Sequence, residues 1–590
     1  MPKAKIHYPD AFCFAMLAVL TALLYHKVVG SYWLYDDPYI LRHAFEHSPW
    51  EYFFIPEVWR ELSIRYLTPW VTLSFDFDLS LFGLQPRFFY LHQLVSLWIA
   101  ACALYGVLRL WVKPGFAFSG SVLFLVSAPV AVAAEMLQIR HYIEGLILCL
   151  LSLCFFVWAL RKESFLLSFL SSIFYLLAAS AKELYVPFGI IMFFLPEKTL
   201  GIRINRGIPL IVSSIMYVLW RKWMLGNFIA GPGENSIFYV YRGMESIGLF
   251  LKNIYGTFIM MSGVSQIGIR VNLLITMCFV IFILLPVFFL IKRKSYSVLF
   301  FFFVVTVSVY SIPLSIFQPY YIAHDFPAYR TVFLISAYLS VILALSGHFL
   351  YEQAGAIVMI PLKISLRATV VFLIIGLLSI VQLNSFLWIS TQREKTIKPL
   401  AQEGEFFMNA DHDILLVKSD PVNSGTHYYE NLEFFRKVYQ GDEPPSVVYN
   451  GFAYVDAPGT SALENLRIFK YNALNRTISE ISDSYLKERT ALLSRIKKLP
   501  FSGRLKVDHG LIDFSLGPSN SGHYFILWGH KQGLYSMLID IGQERTMKTR
   551  GLTRLKVYWR FGWESPEGRI TLSPEWFVDF SKDQELFWKQ

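Results

Sequence analysis

Residues 11–38 read AFCFAMLAVLTALLYHKVVGSYWLYDDP, an apolar run long enough to cross a bilayer that ends at the adjacent acids Asp36 and Asp37. In hydrocarbon such a run satisfies its backbone only as a helix, so this stretch fixes the fold class. The acidic pair at its end poses the functional question. Two neighbouring carboxylates repel each other, and beside a membrane each is costly to keep ionised. Two readings account for them. Asp-Asp-Pro is ordinary turn chemistry and can be a solvated turn. Alternatively, one carboxylate takes a proton from an incoming hydroxyl while its neighbour holds the acceptor or a cation.

Outward from this stretch the apolar character recurs. Of 590 residues, 55% are hydrophobic and 16% charged, which excludes a soluble protein and indicates a polytopic membrane one. The 52 Phe and 33 Tyr suit lipid-facing and interfacial positions. The net charge of +10 is dispersed in short basic clusters between apolar runs, a pattern of membrane topology that excludes a nucleic-acid patch. Cys13, Cys102, Cys149, Cys154 and Cys278 all fall in apolar runs, so neither a disulfide framework nor a thiolate metal site is implied. The first run comes after Lys3 and Lys5, has no small-residue cleavage site and reads as a retained helix.

Hydropathy gives about eleven spans. They lie near Ala11–Gly30, Phe88–Leu108, Phe116–Ala133, Ile143–Leu160, Phe165–Ala179, Leu184–Leu195, Ile208–Leu225, Val271–Ile291, Val298–Leu314, Thr331–Phe349 and Ala368–Ile389. Threaded with the N-terminus in the cytoplasm, they put Arg109, Lys113, Arg161, Lys162, Lys198, Arg203, Arg206 and the Lys292-Arg293-Lys294 cluster inside. The loop 31–87, the turns at Glu135 and Lys182, and everything after the last span then lie outside, in a bacterial periplasm rather than an ER lumen. Residues 1–390 form the membrane domain and 391–590 an extracytoplasmic domain.

Several outer residues run against the positive-inside trend. Arg42, Arg60, Arg65, Arg140, Lys182 and Arg330 all lie near outer span ends, where a bound anion would explain them. The competing account is snorkelling or pairing with Asp76, Asp78, Glu135 or Glu183. Glu135 and Arg140 can be a buried pair or acceptor contacts, and His92 reads as a satisfied interfacial histidine. Asp76-Phe77-Asp78 spells an acid-x-acid pattern but reads as one polar face of an interfacial segment. Beyond residue 390 the chain reads as a connector, strands at Ile414–Lys418 and Ser446–Val455, an amphipathic helix over Thr477–Lys498, and short alternating runs from residue 504 that predict a β sandwich. Trp528, Trp559, Trp563 and Trp576 read as sandwich core, with a sugar-stacking platform as the other possibility.

The segment from Tyr35 to Leu94 resembles the first outer loop and second span of the GT-C glycosyltransferases, most closely the branch of protein O-mannosyltransferases and the tetratricopeptide-bearing TMTC proteins. The residues that carry it are Asp36-Asp37, Arg65-Tyr66-Leu67-Thr68-Pro69, Leu73-Ser74-Phe75, Leu81-Phe82-Gly83-Leu84-Gln85-Pro86 and Tyr90-Leu91-His92-Gln93-Leu94. Ala128-Pro129-Val130, Glu135, Arg140 before Gly145-Leu146, and Ala181-Lys182-Glu183 continue it. Gln93 stands where an Asn is common, and tetratricopeptide repeats are absent, so protein mannosylation is not carried over.

The resemblance implies a glycosyltransferase that moves a sugar, with inversion, from a polyprenyl-phosphate donor to a hydroxyl of a protein, glycan or lipid acceptor on the outer face. Asp36 matches the catalytic base and Asp37 its helper. Arg65 matches the donor-phosphate contact; Arg330, at the outer end of the tenth span, joins it by topology alone, with Lys182 and Arg140 as further cations, and Glu135, Glu183 and His92 in acceptor or structural roles. No cofactor and no metal are expected. A transporter or flippase for a lipid-linked sugar and a non-catalytic glycan-binding membrane protein are the alternatives; neither paired halves nor an inverted repeat favours the transporter.

Overall fold

The computed structural model describes residues 8–64, 66–195, 197–228, 329–330, 332–356, 363–409, 414–417, 427–440, 447–449, 467–472, 477–485, 487, 491, 501–508, 511–517, 522–529, 537–542, 546–550, 556–566, 570–580 and 582–589. The spans expected at Val271–Ile291 and Val298–Leu314, and Arg65, lie outside these residues. The chain divides into two compact units, one of residues 1–31 and 43–394, the other of residues 32–42 and 395–590.

The first unit is helical. Its described helices are α1 (Tyr8–Tyr25), α2 (Asp37–Glu46, shared with the second unit), α3 (Pro49–Phe54), α4 (Pro56–Leu62), α5 (Pro69–Phe82), α6 (Pro86–Leu108), α7 (Pro114–Val126), α8 (Ala128–Glu135), α9 (Arg140–Lys162), α10 (Phe165–Ala181), α11 (Phe188–Ile191), α12 (Leu200–Leu225), α13 (Phe333–Ala356) and α14 (Lys363–Gln392). Among the described residues, six helical stretches are long and apolar enough to cross a membrane, or seven if the bent pair α7–α8 is one span. Helix α9 packs on α10 and α6, α10 on α12, and α7 on α13.

The two departures from regular spans have physical causes. Between α7 and α8 the axis bends by 58°. Pro129 has no N–H for the carbonyl of Leu125, and its ring crowds that carbonyl, so the helix breaks there. The Tyr25 hydroxyl donates to the freed Leu125 oxygen instead. The sixth expected span, Leu184–Leu195, is not one helix. It comprises a 3-10 turn at Glu183–Tyr185, α11, and a second 3-10 turn at Met192–Phe194. Tyr185 donates to the Tyr142 carbonyl at 2.5 Å near one end of α9, and Arg161 near the other end donates to Glu197 at 2.6 Å. Val186, Pro187, Ile191 and Met192 at the joints keep right-handed helical dihedrals, so the backbone changes helix type there without becoming extended. Pro187 has no N–H for the Glu183 carbonyl, which interrupts the α-helical ladder.

The first outer loop packs against the end of α12 through a cluster of Tyr52, Trp59, Leu67, Met224 and Leu225. Arg60 Nε donates to the Met224 carbonyl at 2.8 Å and Trp220 Nε1 to that of Phe53 at 2.9 Å, which fixes α3 and α4 on this end. Arg60, a candidate anion ligand by position, serves as a helix cap here.

The second unit begins, after α14, with α15 (Lys398–Met408) and α16 (His427–Gln440) beside a mixed sheet in the order β2 (Val447–Tyr449), β1 (Ile414–Val417), β3 (Arg467–Asn472), β4 (Thr477–Glu480). The helix expected to start at Thr477 starts later: Thr477–Glu480 pairs with β3, Ile478 opposite Tyr471, because its first residues alternate and carry β-branched side chains. The chain then builds two antiparallel sheets. One holds β5 (Ser502–Asp508), β6 (Leu511–Gly517), β9 (Thr546–Arg550) and β13 (Gln584–Lys589); the other holds β7 (His523–Gly529), β8 (Met537–Gly542), β10 (Lys556–Glu564), β11 (Ile570–Leu572) and β12 (Trp576–Asp579). Leu505, Val507 and Phe514 from the first and Tyr524, Ile526, Val557, Trp559, Phe561 and Trp563 from the second share one core, so the sheets form a sandwich. Trp559 and Trp563 are buried in that core and present no open face for a sugar.

Candidate functional site

The acidic pair is split by the turn that carries it. Tyr35 adopts a left-handed conformation at φ 47°, uncommon for a bulky residue and a mark of a constrained site. Asp36 caps α2, its carbonyl accepting the N–H groups of Tyr39 and Ile40 at 3.0 Å each. Asp37 is fully buried, and its Oδ2 accepts the Leu34 N–H at 2.8 Å while its own N–H donates to the Leu34 carbonyl at 2.9 Å. Asp36 keeps an exposed side chain. The turn reading thus describes Asp37 and leaves Asp36 turned outward. Within the same unit, the Arg42 guanidinium sits 4.6 Å over the Phe434 ring of α16.

In the membrane unit, two stretches that the sequence singles out come together. The Leu67 N–H donates to Glu183 Oε1 at 2.6 Å, and the Lys182 ammonium lies 4.4 Å from the Tyr66 ring centroid and 5.3 Å from that of Tyr142. The Tyr66–Leu67 stretch therefore closes on the Lys182-Glu183 turn. Glu183 is held by Arg221 of α12 at 2.5 Å, so its carboxylate does not neutralise Lys182. Buried His141, at the start of α9, is within electrostatic range of both Lys182 and Arg330. Among the described residues, neither Lys182 nor Arg330 has an ion-pair partner. Gly145 makes room for this arrangement: a Cβ there would lie 2.4 Å from the Tyr185 ring, directly after the Lys182-Glu183 turn.

Arg140 lies elsewhere in the unit and is already saturated. It is fully buried and donates to Asp78 Oδ2 at 2.5 Å, Ser74 Oγ at 3.2 Å, Gln93 Oε1 at 3.2 Å and the Phe89 carbonyl at 2.6 Å. Its donors tie α5, α6 and α9 together, and a phosphate would have to displace them. Of the two readings of Glu135 with Arg140, the buried pair is not formed. Glu135 binds Arg393 at 3.0 Å, and Arg393 also donates to Ser31 at 3.2 Å. The residues between Glu135 and Arg140 form a turn, and the two side chains leave it towards different helices. Nor are Asp76 and Asp78 one exposed polar face: Asp78 is fully buried, whereas Asp76 takes the Tyr52 hydroxyl at 3.3 Å. Burial raises the Asp76 carboxyl pKa, and the Tyr52 hydroxyl opposes that rise. His92 sits between Asp78, at 2.8 Å, and Glu144, at 3.6 Å, while Glu144 also accepts from Trp70 at 2.7 Å and Ser74 at 2.8 Å. His92 is a satisfied histidine inside a buried network.

Several of these partners have no local signal in the sequence. Arg393 and Arg221 are far along the chain from Glu135 and Glu183. For Glu144, the fact of a carboxylate within a span was itself a pointer to a partner.

Fold and site together define an integral membrane protein with a helical bundle and a C-terminal β-rich unit. No family model matches the sequence, and no curated protein matches it. Among solved structures the chain is similar to ArnT from Cupriavidus metallidurans bound to undecaprenyl phosphate, at 11% identity over 82% of this chain and 95% of that one, with a TM-score of 0.42. It is also similar to the archaeal oligosaccharyltransferase AglB from Archaeoglobus fulgidus, in complex with an inhibitory peptide and a dolichol-phosphate, at 11% identity over 87% of this chain and 74% of that one, with a TM-score of 0.45.

Proposed function

We propose that this protein is a membrane glycosyltransferase of the GT-C kind that moves a sugar from a polyprenyl-phosphate donor to a hydroxyl acceptor on the extracytoplasmic face. The observation that carries this reading is that Lys182, against which the Tyr66–Leu67 stretch docks, and Arg330 both lie within electrostatic range of buried His141, and neither has a carboxylate partner among the described residues. An uncompensated pair of cations in a half-buried setting favours a bound anion. A phosphate on an isoprenoid is an anion whose tail a membrane protein can accommodate beside its helices.

The reaction needs few groups. The acceptor oxygen attacks the anomeric carbon, the bond from that carbon to the phosphate oxygen breaks, and polyprenyl phosphate departs with the electron pair. Asp36 takes the hydroxyl proton as this happens, and the anomeric configuration inverts. Arg65, Lys182 and Arg330 stabilise the charge that grows on the departing phosphate, the largest expected contribution to rate. Asp37 holds the turn that presents Asp36. Arg140, Glu135, Glu183 and His92 act on the scaffold that positions these groups. The acceptor is a protein, glycan or lipid hydroxyl.

The test is lipid binding to the purified full chain in detergent, read by native mass spectrometry. Polyprenyl phosphate is expected to bind in preference to the corresponding polyprenol, and Lys182→Ala and Arg330→Ala each to weaken that preference about tenfold or more. Equal binding of the phosphate and the alcohol by the wild type contradicts the reading.

A further inference from the structure

We propose that His43, His47 and Glu61 form a binding site for a Zn2+-class transition-metal ion that pins α2 to α4 in the first outer loop. The proposal does not depend on the glycosyl-transfer reading. It also departs from the expectation that this chain uses no metal.

The geometry starts with spacing. His43 and His47 are four residues apart, at the end of α2 and just beyond it, and an i, i+4 pair presents both imidazoles on one side of a helix. Their ring centroids are 4.8 Å apart. Glu61 comes from α4, and its Oε2 lies 3.1 Å from His47 Nε2. One ligand atom from each of the three residues lies within 4.8 Å of the others, a spread that one tetrahedral ion can draw together with small side-chain rotations. Two imidazoles and a carboxylate are a donor set that suits zinc, and the hard cations Ca2+ and Mg2+ prefer all-oxygen sets.

The second observation is independent of the spacing. His43 is only 4% exposed, and its Nε2 has no hydrogen-bond partner among the described residues. Its ring is enclosed by Tyr52, at 6.3 Å, and Trp59, at 6.2 Å. A buried nitrogen left without a partner costs stability, and native proteins seldom leave one so. A metal ion bound through that nitrogen would satisfy it, whereas the His47–Glu61 contact alone does not. The aromatic wall would act as the apolar surround that holds the imidazoles in place.

The experiment uses the full-length protein, purified in detergent through a tag without histidine and dialysed after exposure to Zn2+. Metal is counted by elemental analysis, and Co2+ is substituted to read the coordination from its visible absorption. The expected result is one zinc per chain, a rise in melting temperature with Zn2+, and the intense visible bands of low-coordinate Co2+. His47→Ala and Glu61→Gln, both outside the buried aromatic cluster and so expected to fold, should lose the bound metal and the zinc-dependent rise in melting temperature. Less than half an equivalent of zinc retained by folded wild type, or unchanged zinc content in both variants, would overturn the proposal.

Discussion

At the scale of single residues, Asp36 and Asp37 illustrate how much a sequence conceals. The pair is legible as a feature, but its two members are identical in type and adjacent, and only the left-handed Tyr35 and the Leu34 N–H separate them into an outward and an inward carboxylate. Asp36→Asn is expected to lower transfer by on the order of a hundredfold to ten-thousandfold with the chain still expressed and folded. Asp37→Asn is expected to act differently, lowering the melting temperature along with activity, because it weakens a buried turn; parallel thermal melts and turnover assays distinguish the two. Lys182→Ala and Arg330→Ala should each reduce kcat by on the order of a hundredfold, while Lys182→Arg, which keeps the charge, retains more. Arg140 shows the reverse lesson. Its position among the outer cations suggested an anion ligand, and nothing local reveals that Asp78, Ser74, Gln93 and Phe89 already occupy its donors.

At the scale of elements, hydropathy located helices well because bilayer thickness sets their length, and α6, α9 and α12 fall where their apolar runs do. It could not show that the segment after Lys182 runs in short pieces, since an apolar run has the same composition whether its backbone forms one helix type or several. In the sandwich, β7, β8 and β10 were legible from alternation, whereas β9, β12 and β13 were not: Thr546–Arg550 and Gln584–Lys589 are edge strands rich in polar residues, which blunt the pattern. Two mutations test the packing of the bundle. Asp78→Ala leaves the Arg140 charge buried and uncompensated and should cost about 3–5 kcal/mol, with much of the loss restored when Arg140→Met accompanies Asp78→Leu. Gly145→Ala drives a methyl group into the Tyr185 ring and should cost about 1–3 kcal/mol while shifting the Lys182-Glu183 turn, measured as a lower melting temperature and weaker polyprenyl-phosphate binding.

At the scale of the whole molecule, the order of apolar runs and basic loops sets the expected sidedness. Cysteines placed at the exposed positions Trp50 and Phe587 should both react with a membrane-impermeant maleimide in intact cells, and one at Lys198 only after permeabilisation; protection of position 587 until permeabilisation refutes the threading. The grouping of residues 32–42 with 395–590 was beyond the reach of sequence, because it joins segments separated by the whole membrane-embedded part of the chain. The central claim is turnover, and reconstituted turnover tests it most directly. Purified protein in liposomes is supplied with a labelled sugar on a polyprenyl phosphate together with a hydroxyl acceptor. The account predicts that polyprenyl phosphate and glycosylated acceptor appear in equal amounts and that Asp36→Asn lowers both by on the order of a hundredfold or more. A donor that crosses the bilayer and is recovered intact, or product formation unchanged in Asp36→Asn, would contradict it.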